Sequence, residues 1–310
     1  MDSKSRIVFA GTPNNAALTL SHLVSKGFNV VGVITRLDSK VGRKGIIQES
    51  AVASQASELG IPVYQANLMD RDCLSWMRSL EPDIGVVVAY GTIFDSDVLA
   101  LPRYGWLNLH YSLLPALRGP APVQNAILRG LSETGVTVFR LDQGIDTGPI
   151  VSQEKVSIDS TDNSGELLEK LSQVGAELIS TVLLDMTPTL AGATDQPDLA
   201  PDQIARKPTR ESARLHFSSN CFQLSALVRA MNPEPMAWFE FEGKSVRVLS
   251  ATPSSNRIEP VGLLKIIQKD LVVACSEGSL VLHTVQPAGK SAMTGAEWFR
   301  GLRRQEAILE

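Results

Sequence analysis

The sequence predicts a doubly wound, mostly parallel α/β sheet followed by a second, smaller β-barrel domain of the OB type. Three observations carry this reading. Strand-like and helix-like segments alternate through the first part of the chain. Ile84–Ala89 is a continuous apolar run, as expected of a strand covered on both faces. After a proline-rich stretch, one helical segment is followed by five short strand-like runs.

The elements follow in order. Arg6–Ala10 and Asn29–Ile34 read as strands around a helix over Asn14–Lys26, which Gly27 stops. Gln48–Leu59 and Arg71–Leu80 are helix candidates, ended by Gly60 and by the Glu81-Pro82-Asp83 turn. Trp106–His110 is the next strand. Gly135–Leu141 and Ile150–Val156 flank a loop and suit an antiparallel pair. Ser164–Met186 is a long amphipathic helix. Residues 187–208 hold Pro188, Pro197, Pro201 and Pro208 with no periodicity, as a linker does. Beyond it Cys221–Met231 reads as a helix. Trp238–Phe241, Ser245–Ser250, Gly262–Gln268, Leu271–Ala274 and Ser279–Val285 read as strands. The expected organisation is a first domain over 1–188, a linker over 189–206 and a barrel domain over 207–310.

Composition excludes several classes. At 310 residues, 44% hydrophobic and 20% charged, the chain suits two ordinary globular domains. No run of eighteen apolar residues suggests a transmembrane helix. Met1–Arg6 leads straight into a strand-like segment without a signal-peptide core, so the expected address is cytoplasmic, with no membrane partner. Cys73, Cys221 and Cys275 have no CxxC spacing, which argues against a zinc site or a disulfide scaffold; no metal is expected. The net charge of −4 is uneven. Residues 206–310 hold 14 basic and 10 acidic side chains, a balance of +4, against −8 in the rest. A basic module on an acidic one points toward a polyanionic partner, though compositional scatter also produces such a split.

The richest stretch runs from Leu107 to Ile150. In Leu107-Asn108-Leu109-His110 the apolar residues alternate with polar ones. On a strand, Asn108 and His110 therefore share one face. A Ser112-Leu113-Leu114-Pro115 turn follows, and Asp142-Gln143-Gly144-Ile145-Asp146-Thr147-Gly148-Pro149 offers a carboxylate on a glycine-rich loop. An amide, an imidazole and a carboxylate suit acyl or formyl transfer to an amine. The amide stabilises an oxyanion, and the imidazole and carboxylate manage the proton of the attacking amine. Gly11-Thr12-Pro13 and Tyr90-Gly91 end strands at the ligand-binding edge of such a sheet. The first lacks the glycines of a dinucleotide fingerprint. The second could line a pocket for a flat heterocycle. The loop Arg36–Gly45 carries four basic residues and reads as a phosphate-contacting element or a solvated loop. Arg300, Arg303 and Arg304 read equally as a phosphate patch or a wet helix face.

Three segments resemble the folate-dependent formyltransferases: Asn108–Pro115, Arg118-Gly119-Pro120-Ala121-Pro122 and Asp142–Ile150. Two more, Arg229–Trp238 and Gln286–Met293, resemble the C-terminal barrel of the branch that acts on methionyl-tRNA. The resemblance implies a formyltransferase-type Rossmann-like fold, 10-formyltetrahydrofolate as donor and the α-amine of initiator methionyl-tRNA as acceptor. It implies that Asn108 and His110 stabilise the oxyanion and that Asp146 assists proton removal. It places Ser112, Leu113, Leu114 and Pro115 along the folate pocket, with Tyr90 and Gly91 near the pterin. Arg43 and Lys44 would contact tRNA. Ile46-Ile47-Gln48 stand where the family has a Pro-Ser-Pro-Val-Lys-like segment, and Asn14-Asn15 replace its acidic-Phe pair. A monomeric enzyme is expected. A formyltransferase for a small amine would keep the same trio without needing a basic barrel, and a non-catalytic RNA-binding protein would not need the trio at all.

Overall fold

The computed structural model describes residues 5–41, 45–198 and 203–309. The chain forms two compact units. One is drawn from Met1–Gly119, Glu133–Ser157 and Leu168–Ile204, the other from Pro120–Ser132, Ile158–Leu167 and Ala205–Glu310. In chain order the first elements are β1 (Ile7–Gly11), α1 (Asn14–Ser25), β2 (Val30–Thr35), β3 (Ser39–Val41), β4 (Ile46–Gln48), α2 (Ala51–Glu58), β5 (Val63–Gln65) and α3 (Arg71–Ser79). There follow β6 (Ile84–Val88), α4 (Ser96–Leu99), β7 (Trp106–His110), α5 (Pro122–Leu128), β8 (Glu133–Arg140), β9 (Ile150–Ser157), α6 (Ser164–Leu184) and α7 (Met186–Ala191).

Seven of these strands make one sheet in the order β5-β2-β1-β6-β7-β8-β9. The first five run parallel; β8 and β9 are antiparallel additions. Every residue of β1 and β6 is buried, which explains their unbroken apolar sequence. Chain order reverses between β1 and β6, so a crevice is expected outside the carboxyl ends of these strands. Trp106 lies across Gly85 of β6, donates its indole N–H to Val98 O at 2.8 Å and meets Phe94 edge-on. Helix α6 lays Leu171, Gly175, Ile179 and Val182 inward at helical spacing, and Gly175 lets it approach Leu109 of β7.

Three local readings change. Helix α2 begins at Ala51, because Gln48 is held in a β3–β4 hairpin and Ser50 caps the helix through Ala53 N–H. The stretch read as linker, 187–208, carries helix α7 and an isolated bridge between Thr194 and Ile150. Asp185 interrupts the long helix between α6 and α7.

In the second unit α5 packs on α8 (Cys221–Ala230), whose start is fixed by an Asn220–Gln223 capping box. The strands are β10 (Ala237–Phe241), β11 (Lys244–Ser254), β12 (Leu263–Ile267), β13 (Asp270–Ala274), β14 (Ser279–Pro287), β15 (Met293–Thr294) and, after helix α9 (Gly295–Gly301), β16 (Glu306–Ile308). They pair antiparallel in the order β10-β11-β14-β13-β12-β16, with β15 on β14. No pairing joins β10 to β16 among the described residues, so the sheet is a half-barrel and not a closed one. Its core stacks Phe217, Phe239, Phe241, Trp298 and Phe299 edge to face. Among the described residues no helix is long and apolar enough to cross a membrane.

Candidate active site

The strand β7 places Asn108 and His110 on one face, as alternation requires. Asn108 is half-buried, and its carboxamide makes no hydrogen bond among the described residues. His110 is 6% exposed, and its ring meets Phe139 edge-on. Its Nε2 lies 3.0 Å from the Leu117 carbonyl oxygen. A carbonyl only accepts, so Nε2 carries a proton, and Nδ1 is left on the other side of the ring.

That side faces Asp146, whose Oδ2 is 3.6 Å from Nδ1. The gap is too long for a direct hydrogen bond. Oδ2 also accepts the Gly119 N–H at 2.7 Å. Asp146 has a positive φ of 55°, an uncommon backbone state for a residue with a side chain. Asp142, the other carboxylate of the loop, plays a different part. It accepts from Gly144 N–H at 2.9 Å and from Thr147 Oγ1 at 2.8 Å, and so shapes the turn.

The path of this loop is unexpected. Because β8 runs antiparallel to β7, the loop starts beside Trp106, where Leu141 N–H donates to Trp106 O at 2.9 Å. It then doubles back along the sheet to reach His110 at the other end of β7. Gly148 permits the reversal, since a Cβ there would lie 1.8 Å from Arg140 O.

The Ser112–Pro115 turn is held by side chains that the sequence did not single out. Thr137 Oγ1 donates to Ser112 O at 2.6 Å and accepts Leu114 N–H at 3.1 Å. Gln153 Nε2 donates to Leu114 O at 2.8 Å and to Thr137 Oγ1 at 2.9 Å. Ser112 is buried, with its hydroxyl donated to Ala116 O at 2.6 Å; Leu114 is buried, while Leu113 and Pro115 are half-exposed. The Leu114–Pro115 peptide is cis.

Residues 5–183 match the family model described as formyl transferase, and residues 207–303 match its C-terminal domain. The chain belongs to the formyl transferase family. Two relatives named methionyl-tRNA formyltransferase, from Renibacterium salmoninarum and Paenarthrobacter aurescens, are each 39% identical to it. Those alignments cover 98% of this chain and 99% of each relative. Among solved structures, the N-formyltransferase from Helicobacter canadensis in complex with folinic acid and dTDP-3-aminofucose superposes with a TM-score of 0.67. That match covers 91% of this chain and 99% of that one. At 19% identity the likeness is one of fold.

Other predicted positions in this formyl transferase fall as follows. Gly91 is exposed at the rim with φ 80°. The Tyr90 ring lies in the core, donates to Ala66 O at 2.6 Å, and burial pushes its phenol up to about 12; only its backbone belongs to the strand-end turn. Arg36, read as part of a phosphate-contacting loop, instead commits its guanidinium to the Tyr90 and Gly91 carbonyls. Asn15 donates to Tyr111 Oη at 2.8 Å and so steadies the neighbour of His110. Arg43 and Lys44 lie outside the described residues. Among the described residues no group of three or more His, Cys, Asp or Glu side chains is placed to hold a metal ion.

Proposed function

We propose that this chain transfers the formyl group of 10-formyltetrahydrofolate to the α-amine of initiator methionyl-tRNA. The observation that carries this reading is the end-to-end match, at 39% identity, to two relatives named for that activity. The local geometry supports the chemistry. The amine nitrogen attacks the formyl carbon, a C–N bond forms, and the bond from that carbon to N10 of the folate breaks. Negative charge develops on the formyl oxygen, where the uncommitted Asn108 amide can donate. His110 Nδ1 and Asp146 Oδ2, facing each other across 3.6 Å, take the proton that the amine loses. N10 leaves with a proton in its turn. The α-amine has an ordinary pKa of about 7.7–8.0, so supplying its neutral form costs little near neutral pH.

Ser112, Leu113, Leu114 and Pro115, with the Tyr90–Gly91 turn, serve the folate side of the site. Arg43, Lys44 and the basic residues of 206–310 serve tRNA. Trp238 is flanked by the guanidiniums of Arg210 and Arg214, 5.0 and 5.3 Å from its ring, a platform suited to nucleic-acid contact. The enzyme acts as a cytoplasmic monomer without a metal.

The deciding experiment incubates the full chain with formyl-folate and, separately, initiator Met-tRNA, elongator Met-tRNA and a small amino sugar nucleotide. Formyl-methionine on the initiator species supports the reading. Turnover of the small amine with none on tRNA defeats it.

A further inference from the structure

Gln196 lies in the stretch that the sequence presents as linker, yet all four hydrogen-bonding positions of its carboxamide are used at the candidate site. Oε1 accepts from Arg118 Nε at 3.0 Å and from Arg118 Nη2 at 2.8 Å. Nε2 donates to Asp146 O at 3.0 Å and to Gly148 O at 2.6 Å. We propose that Gln196 is a positioning residue for formyl transfer, locking the Asp146 backbone so that its carboxylate faces His110. This rests on the reading of Asp146 as a proton acceptor given above.

Three features make the lock specific. Asp146 holds a φ of 55°, which a residue with a side chain keeps only when its surroundings impose it. Its carboxylate is fixed at one end by Gly119 N–H and its own carbonyl at the other by Gln196. Gln196 is in turn anchored on two sides. Thr194 and Ile150 exchange both backbone hydrogen bonds at 2.8 Å, seating the segment on the edge of β9. Arg118 is only 8% exposed, and its Nη2 also donates to Pro197 O at 2.9 Å. Arg118 therefore holds Gln196, Gln196 holds the Asp146 loop, and Asp146 faces His110. Arg118 and Gly119 are consecutive, so a single bend of chain supplies both the anchor for Gln196 and the donor to Asp146 Oδ2.

The donors on Nε2 distinguish glutamine from its acid. Gln196→Glu keeps an acceptor for Arg118 but turns an oxygen toward the Asp146 and Gly148 carbonyls. Gln196→Ala removes both sets of contacts. The charged groups to be reckoned with around Asp146 are His110, Asp142 of the same loop and Arg118 behind Gln196.

The test measures steady-state formylation of initiator Met-tRNA by the full chain across pH, with Gln196→Glu, Gln196→Ala and Asp146→Asn beside the parent. Both Gln196 variants are expected to lose roughly 10- to 100-fold in kcat, the scale set by displacing a reacting group by about an ångström, with KM for both substrates within about 2-fold. The pH limb of kcat that disappears in Asp146→Asn is expected to shift in Gln196→Glu. Parental kcat and pH profile in Gln196→Glu would reduce Gln196 to an anchor for Arg118 and overturn the proposal, whether or not Gln196→Ala folds. A change confined to KM overturns it as well. Full turnover in Asp146→Asn instead removes the underlying assignment of Asp146, a separate failure.

Discussion

His110 Nδ1 and Asp146 Oδ2 stand 3.6 Å apart, and the imidazole arrives there with its other nitrogen already committed to the Leu117 carbonyl. The ring can therefore exchange a proton only on the side that faces the carboxylate. His110→Ala and Asp146→Asn are each expected to lower kcat by roughly 10²- to 10⁴-fold. Acting as one unit, they should be far from additive, so the double variant falls little below the worse single one. Rapid-quench formylation of Met-tRNA by the three variants checks this, and strictly multiplicative losses would contradict a shared proton.

Asn108 is half-buried and its carboxamide has no partner among the described residues, so its removal breaks no hydrogen bond of the fold. Asn108→Ala is expected to leave thermal stability unchanged while losing about 2.7–4 kcal/mol of transition-state stabilisation. Kinetics paired with a melting curve tests both halves. Parental kcat in this variant removes Asn108 from the oxyanion role.

Gly85 gives Trp106 the space to lie against β6. A Cβ at that position would sit 2.1 Å from Trp106 Cε3, and the ring is held by its indole hydrogen bond to Val98 O. Gly85→Ala is expected to cost at least about 1–3 kcal/mol by overpacking. Because β7 begins at Trp106, activity should fall with stability. Urea unfolding at neutral pH measures the cost, and a midpoint equal to the parent's would show that the ring yields freely.

Burial pushes the Cys73 thiol up to about 11, with Asp70 adding to the effect, and the Cys275 thiol up to about 12, with Cys221 adding. Burial likewise raises the Tyr90 phenol to about 12, helped by Cys73 and opposed by Arg36. A raised acid keeps its proton longer in the folded chain than in the unfolded one. Its stabilising effect is thus complete below the ordinary thiol range near 8.5 and is lost as pH rises toward 11–12. The expected slope is about 1.4 kcal/mol per pH unit for each thiol that ionises only on unfolding. Urea midpoints at pH 7.5, 9 and 10 should fall steadily, and Cys275→Ala should flatten the decline. A level profile would count against the buried thiols as its cause.

The guanidiniums of Arg210 and Arg214 lie 5.0 and 5.3 Å from the Trp238 ring, and under the proposed function this cluster is a contact point for tRNA. Replacing both by alanine is expected to weaken binding and to reduce the slope of log K against log salt by roughly 1–2. Filter binding at several salt concentrations checks it. An unaltered slope would place the phosphate contacts elsewhere.

Much of this protein was legible in its residues because the signals were local. Unbroken apolar runs marked β1 and β6, since a strand buried on both faces has no polar positions. Alternation over Leu107–His110 places Asn108 and His110 on one face of the strand. The half-barrel was less legible: β15, β16 and α9 are short, and whether a sheet closes depends on pairings that no single strand encodes.

By itself, then, the sequence determined the fold class and the face of β7 that Asn108 and His110 share. Tertiary structure alone decided that the β8–β9 loop turns back over the sheet and that Gln196, from an aperiodic proline-rich stretch, reaches the Asp146 carbonyl. It also turned Tyr90 and Arg36 to structural use. Periodicity reports which way a side chain faces within its own element. Which distant backbone carbonyl it meets is set by how elements pack, and that information is spread over the whole chain.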